Sequence, residues 1–153
     1  MLKNLIVDTN LLLLWVIGSI ESGKYLSTST RLDKFNYSDF EKVNNLIGKY
    51  DALYITPYIA TEVSNLIDLK GDAKVKALEI FKALLLDTVI VADTNLHLDM
   101  DGNTFYIYGL TDNSLIKLVK NYYVLTDDNR LCSALFDINP EYVLPYSLAQ
   151  YEI

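Results

Sequence analysis

Short apolar runs alternating with amphipathic stretches set the rhythm of this chain. Leu5-Ile6-Val7 has no polar break, as expected of a strand covered on both faces. Asp8-Thr9-Asn10 interrupts it, and Leu11 to Ile20 then reads as a helix apolar nearly all round, which belongs in an interior. Its LLLLWVI segment (11–17) falls well short of the ~18 apolar residues that a membrane span needs. No A-x-A-like cleavage site follows it. The segment is therefore expected to be a buried core element.

Gly23 to Asn36 is polar, contains Ser-Thr-Ser-Thr, and is expected to be a mobile loop. Ser38-Asp39-Phe40-Glu41 has the form of a capping box and predicts a helix to about Lys49. Leu53-Tyr54-Ile55 predicts a second strand. Thr56-Pro57 supplies an N-cap and a first-turn proline for a helix reaching about Leu69, with Lys70-Gly71 as its stop. A helix over Ala73–Leu86 and a strand over Val89–Val91 follow. The Asp93–Tyr108 region is mixed: Asp101-Gly102-Asn103 is a turn signal, while Thr104 to Tyr108 is strand-like by propensity. Asp112 opens a helix to about Lys120. Tyr122–Leu125 is a strand, Asp127-Asp128 opens a short helix over Leu131–Phe136, and Tyr142–Leu144 closes as a strand before Pro145. The expected fold is a single α/β domain over residues 1–153, three-layer α/β/α with a mainly parallel central sheet, carrying a loop-plus-helix insertion at 22–50.

Composition narrows the chemistry. Apolar residues make up 51% of the chain, enough for a real core, which excludes a disordered tail. One cysteine (Cys132) leaves no disulfide framework and no thiolate zinc site, and with no export signal it points to the cytoplasm. One histidine (His97) means that any Ser–His–Asp or Cys–His catalysis has to use that residue; a structural or surface role suits it better. The 13 Lys+Arg against 20 Asp+Glu give a net charge of -7, unlike a general nucleic-acid coat protein, although bound metal ions can invert the local sign. The charges are segregated. No Lys or Arg lies between Lys82 and Lys117, whereas Lys24, Arg31, Lys34, Lys42 and Lys49 outnumber the acids of the insertion.

The positions of the acids carry the chemistry. Asp8 follows the first strand, Asp128 lies just past the strand over 122–125, Asp112 starts a helix, and Glu62 sits about two turns into the helix after the second strand. In an open parallel sheet, sites form outside the carboxyl ends of strands. Asp112, Asp127 and Asp128 could equally be helix caps, and Asp8 an Asx-turn. Glu62 is bracketed by Ile59, Val63 and Leu66 on an apolar stripe, with no Lys or Arg near it in sequence, so a metal ion is a reasonable partner.

LIVDTNLLLL (5–14), PYIATEVSNLI (57–67), GLTDNSLIKL (109–118) and TDDNRL (126–131) together resemble, in order and along nearly the whole chain, the motifs of the PIN-domain nucleases, including their toxin-like ribonucleases. The resemblance implies a PIN-like fold, a divalent-metal-dependent endoribonuclease, and an acidic quartet of Asp8, Glu62, Asp112 and Asp128 holding one or two Mg²⁺ or Mn²⁺ ions. Asp127 is the alternative fourth acid. Thr126 matches the hydroxyl residue two before the last acid, and Asn10 the polar residue after the first. The insertion and Asn113, where Ala is frequent, depart from the family pattern. The resemblance further implies RNA as substrate, an antitoxin protein as a possible partner, and a homodimer, for which Trp15 or tyrosine-rich surfaces could supply the interface.

Carboxylate oxygens suit hard cations, which keep several waters and activate one of them, so no Ser, Cys or His nucleophile is needed. Arg31 and Lys34 are the candidate phosphate contacts, since the insertion holds the basic excess. Two other classes compete. A haloacid-dehalogenase-like phosphatase would need D-x-D, and position 10 is Asn; a non-catalytic nucleic-acid or protein binding module on the same fold remains the alternative.

Overall fold

The computed structural model describes residues 1–151. Five strands form one all-parallel sheet: β1 (Asn4–Val7), β2 (Ala52–Ile55), β3 (Ile90–Val91), β4 (Tyr123–Thr126) and β5 (Val143–Pro145), in the order β3-β2-β1-β4-β5. From β1 the chain steps outward to β2 and β3, then crosses back to the other side of β1 for β4 and β5. β1 is thus the central strand, and its three apolar residues are fully enclosed. Because parallel strands must be joined by crossovers, each gap is filled by helices. α1 (Thr9–Gly18), α2 (Tyr37–Ile47), α3 (Pro57–Leu66) and α4 (Gly71–Asp87) belong to the crossovers on one side, with α1 touching the other three. α5 (Leu96–Asp99), α6 (Thr104–Leu118) and α7 (Asn129–Ile138) serve the return, and α6 packs on both α5 and α7. A short α8 (Tyr146–Ala149) follows β5. The architecture is the three-layer α/β/α arrangement expected from the sequence.

α1 is buried around its circumference, as its sequence requires: Leu11, Leu13, Leu14, Val16 and Ile17 have no exposed surface. It is the hub of its layer. Trp15 is half-buried and its indole N–H donates to Asn44 Oδ1 of α2 at 3.0 Å. No helix among the described residues is long and apolar enough to cross a membrane.

Several local expectations change. The segment 23–36 is not a loose loop. It forms short 3₁₀ turns that bury Leu26 and Leu32 in the core, and the enclosed Ser29 hydroxyl donates to Asp68 Oδ1 at 2.6 Å. The capping box of α2 is built two residues earlier than expected, by Asn36 and Asp39 rather than Ser38 and Glu41. α3 ends at Leu66, not near Leu69. The next three residues run on beyond the helix so that Ile67 and Leu69 face inward while Asp68 reaches the insertion, where it also accepts from the Arg31 backbone N–H at 3.1 Å. Gly71 opens α4 instead of stopping a helix.

The largest change is over residues 104–108, which are helical despite their strand-like composition. Burial of Asn113 accounts for it. This side chain has no exposed surface; its amide donates to the carbonyls of Asp99 (2.6 Å) and Asp101 (3.1 Å), and its Oδ1 accepts from the Thr104 hydroxyl (2.6 Å). The turn at 99–104 is pinned to the helix from within. α6 is then broken once, at Gly109, whose φ of 79° lies in the region that costs a glycine little. Asp112 therefore sits within a helix, just past a break, rather than opening one.

Replacing Asn113 by Ala should leave those carbonyls and the Thr104 hydroxyl without their buried partner and lower the unfolding free energy by about 1–3 kcal/mol. Urea denaturation of the two proteins measures this. An unchanged midpoint would mean that the turn holds itself.

Candidate acidic site at the sheet switch point

A strand order that reverses direction at one strand leaves a crevice beyond the carboxyl ends of the two strands flanking the reversal. Here these are β1 and β4, and Asp8, Asp127 and Asp128 lie directly beyond them. The Asp8 backbone N–H donates to Leu125 O at 2.9 Å, which continues the β1–β4 ladder to the rim of the crevice. The Thr126 hydroxyl, wholly buried, donates to Asp8 Oδ2 at 2.7 Å and accepts from the Asp128 backbone N–H at 3.1 Å. It is the direct link between the first and last acids. Asp8 also caps α1, accepting from Thr9 N–H at 2.7 Å, and Asp128 caps α7, accepting from the N–H groups of Arg130 and Leu131. Of the capping roles open in the sequence, those of Asp8 and Asp128 are real and coexist with a place in the crevice, whereas Asp112 and Asp127 cap no helix.

α3 and α6 come from opposite layers and touch above this edge of the sheet. They carry Glu62 and Asp112. The electrostatics show that all four acids share one neighbourhood. The Asp112 carboxyl is pushed up to about 7, by burial first, then by the charges of Asp8, Asp128 and Glu62, with Arg130 opposing. Asp8, only 7% exposed, is pushed up to about 6; burial raises it, the Thr126 and Thr9 hydrogen bonds lower it, and Asp127 and Asp128 raise it again. Glu62 Oε2 is buried and has no hydrogen-bond partner. Even so, no three Asp, Glu, His or Cys side chains among the described residues close onto a single point as a finished cation cage.

The two tandem acids differ. Asp128 acts on Asp112. Asp127 instead lies 2.7 Å from Lys34 Nζ of the insertion. Arg31 also reaches the site: its Nε donates to Asn10 Oδ1 at 3.2 Å. Asn10, Arg31 and Lys34, with Asn65 and Leu66 of α3, line an open cleft of about 700 Å³. The structure thus gathers Asp8, Glu62, Asp112 and Asp128 near one another, with Thr126 between two of them, and places Asn10, Arg31, Lys34 and Asp127 along one flank.

Three features were not foreseen. Asp68 anchors the insertion: against the rise that burial imposes, the Ser29 hydroxyl and Arg31 N–H hold its carboxyl below the usual range. Tyr58 donates to the buried Asp99 carboxylate at 2.7 Å. Cys132 lies close enough to the acids that burial, then Asp128, Asp8 and Asp127, push its thiol up to about 11, so it stays protonated and is a poor nucleophile. His97 is exposed on α5. Only Asp68 left a trace in the sequence, as a charged residue between two aliphatics. The chain matches no protein-family model, and no curated protein or solved structure shows a significant match to it.

The raised acids fix a pH dependence. Asp112 and Asp8 bind protons more tightly in the folded chain than in the unfolded one, where both titrate near 3.8. Between about pH 4 and 7 the folded state therefore holds more protons, and their contribution to stability is lost as pH rises through that window. The metal-free melting temperature of Asp112→Asn should fall less from pH 4.5 to 7.5 than that of the wild type. Parallel curves would place Asp112 in ordinary solvent.

Proposed function

We propose that this protein is a divalent-metal-dependent endoribonuclease with a PIN-like acidic site, hydrolysing RNA phosphodiester bonds in the crevice between β1 and β4. One observation carries the reading: acids from the β1–α1 junction, α3, α6 and the β4–α7 turn lie near one another where the sheet order reverses, and burial together with the charges of Asp8, Asp128 and Glu62 raises Asp112. The donor set fits Mg²⁺ or Mn²⁺, since it consists of hard carboxylate oxygens, one of which, Glu62 Oε2, is buried without a partner. Asp8, Glu62, Asp112 and Asp128 are the residues that would hold the ion. A bound ion of this kind lowers the pKa of its water and offsets charge on the scissile phosphate.

The rest of the chemistry falls to the chain. Thr126 and the α1 N-terminus fix the Asp8 carboxylate, so that it does not have to be ordered when substrate arrives. Without metal, burial and the charges of Asp8, Asp128 and Glu62 push the Asp112 carboxyl up to about 7, repulsion that a bound cation would relieve. The cleft over Asn10 offers the RNA backbone the Arg31 guanidinium and the half-exposed Lys34 ammonium, which is also paired with Asp127. The single cysteine favours the cytoplasm as the setting, and the sequence resemblance implies a toxin–antitoxin pair, with an antitoxin or a second copy as partner. A second reading, a non-catalytic binding module on this fold, is favoured by the spread of the carboxylates.

Cleavage of end-labelled single-stranded RNA with added Mn²⁺ separates the two readings. The wild type should cleave, and Asp8→Asn should lose at least roughly 100-fold in rate. The same variant should melt no lower than the wild type without metal, because Asn retains an acceptor for Thr9 while losing the buried charge. An inactive wild type that still binds RNA would establish the binding module. Arg31→Ala should weaken RNA binding and flatten the log–log salt dependence by about 0.7 to 1 slope unit, the loss of one phosphate contact. An unaltered slope would move the phosphate path away from the cleft.

A further inference from the structure

Asp127 is a fifth carboxylate at the edge of the acidic site, and its environment is unlike that of the other four. Its side chain is only 9% exposed, and Oδ2 is buried without a hydrogen bond. A carboxylate so desolvated has to be matched by a cation. The cation is Lys34, 2.7 Å away, itself 58% exposed with its ammonium 5.1 Å from the centre of the Phe35 ring. Lys34 is not delivered by a loose loop. The insertion is tied down by the Ser29–Asp68 bond and by the contact of Arg31 Nε with Asn10, and Leu32, next in the chain, is fully buried. Asp127 nevertheless lies near enough to the centre for its charge to act on Asp8.

We propose that Lys34 is a positioning residue: by pairing with Asp127 it keeps this carboxylate out of the cation's ligand set and leaves Asp128 as the acid of the β4–α7 turn that serves the centre. The proposal rests on the reading of Asp8, Glu62, Asp112 and Asp128 as a divalent-cation site. Its physical basis is competition. Asp127 has room for one cationic partner at its buried oxygen, and Lys34 fills that place from the side of the insertion. Without Lys34 the nearest relief for the buried charge is the divalent ion. The site would then bind the ion through one more carboxylate, more tightly and with fewer open positions for water and phosphate, whereas a hard cation in a working phosphoryl site is held through few carboxylates.

Mn²⁺ titration by calorimetry on the full metal-free chain tests this without reference to activity. Lys34→Met keeps the stem against Phe35 and removes the charge; it should tighten Mn²⁺ binding by about tenfold. Lys34→Arg should stay close to the wild type. Asp127→Asn should bind as the wild type does, because Asp127 is not a ligand, and Lys34→Met combined with Asp127→Asn should match Asp127→Asn alone. Unchanged or weaker binding in Lys34→Met overturns the proposal. So does tightening that persists in the double variant, since Lys34 would then act only as a distant charge. A large loss in Asp127→Asn also overturns it, by making Asp127 a ligand already; this variant decides the matter even if Lys34→Met does not fold. Asp8→Asn separates the two levels. If it binds Mn²⁺ as tightly as the wild type, the cation-site reading itself fails, and any gain in Lys34→Met would come from an ion held by Asp127 elsewhere, which rejects the positioning role as well.

Discussion

The structure depends on a charged side chain held at the end of its central strand. Asp8 follows three enclosed residues of β1 and precedes the fully apolar α1, so its carboxylate has almost no access to water. Such a group is tolerated only when donors surround it. Two are supplied, by Thr9 N–H and the Thr126 hydroxyl, and the second comes from a strand 118 residues away along the chain. The parallel register of β1 with β4 brings that hydroxyl into place, and the same register lines up the crevice. Sheet order, the cap of α1 and the acidic site are consequences of one arrangement.

Bringing further acids to this spot costs stability, and the protein spends its few local cations accordingly. Lys34 pairs with Asp127 at the surface end of the site, and Arg130 offsets part of the field at Asp112. The inner group of Asp8, Glu62 and Asp112 has no ion pair of its own among the described residues. Burial, with the charges of the neighbouring acids, raises the Asp8 and Asp112 carboxyls there.

The insertion is part of this balance. Composition alone marks residues 23–36 as polar, but Leu26, Ser29 and Leu32 turn inward and the segment packs across the start of α1. Arg31 and Lys34 are thereby held beside Asn10 and Asp127.

The sequence by itself determined the elements whose signal is local. The apolar triplet of β1, the all-round apolarity of α1, the Thr56-Pro57 cap and the alternation of strand and helix follow from periodicity and chain stereochemistry, so the α/β/α class and the candidate acids could be named without coordinates. What the tertiary structure decided is whatever needed a distant partner. Residues 104–108 became helix because the buried Asn113 amide ties the turn at 99–104 to α6, and strand propensity is too weak to oppose a satisfied buried network. α3 stopped at Leu66 because Asp68 was required by Ser29, far away in the chain. Which of the tandem acids pairs with a cation is likewise invisible in the sequence. Lys34 reaches Asp127 from a segment whose own packing depends on the core, since electrostatic pairing follows distance in space and not separation in sequence.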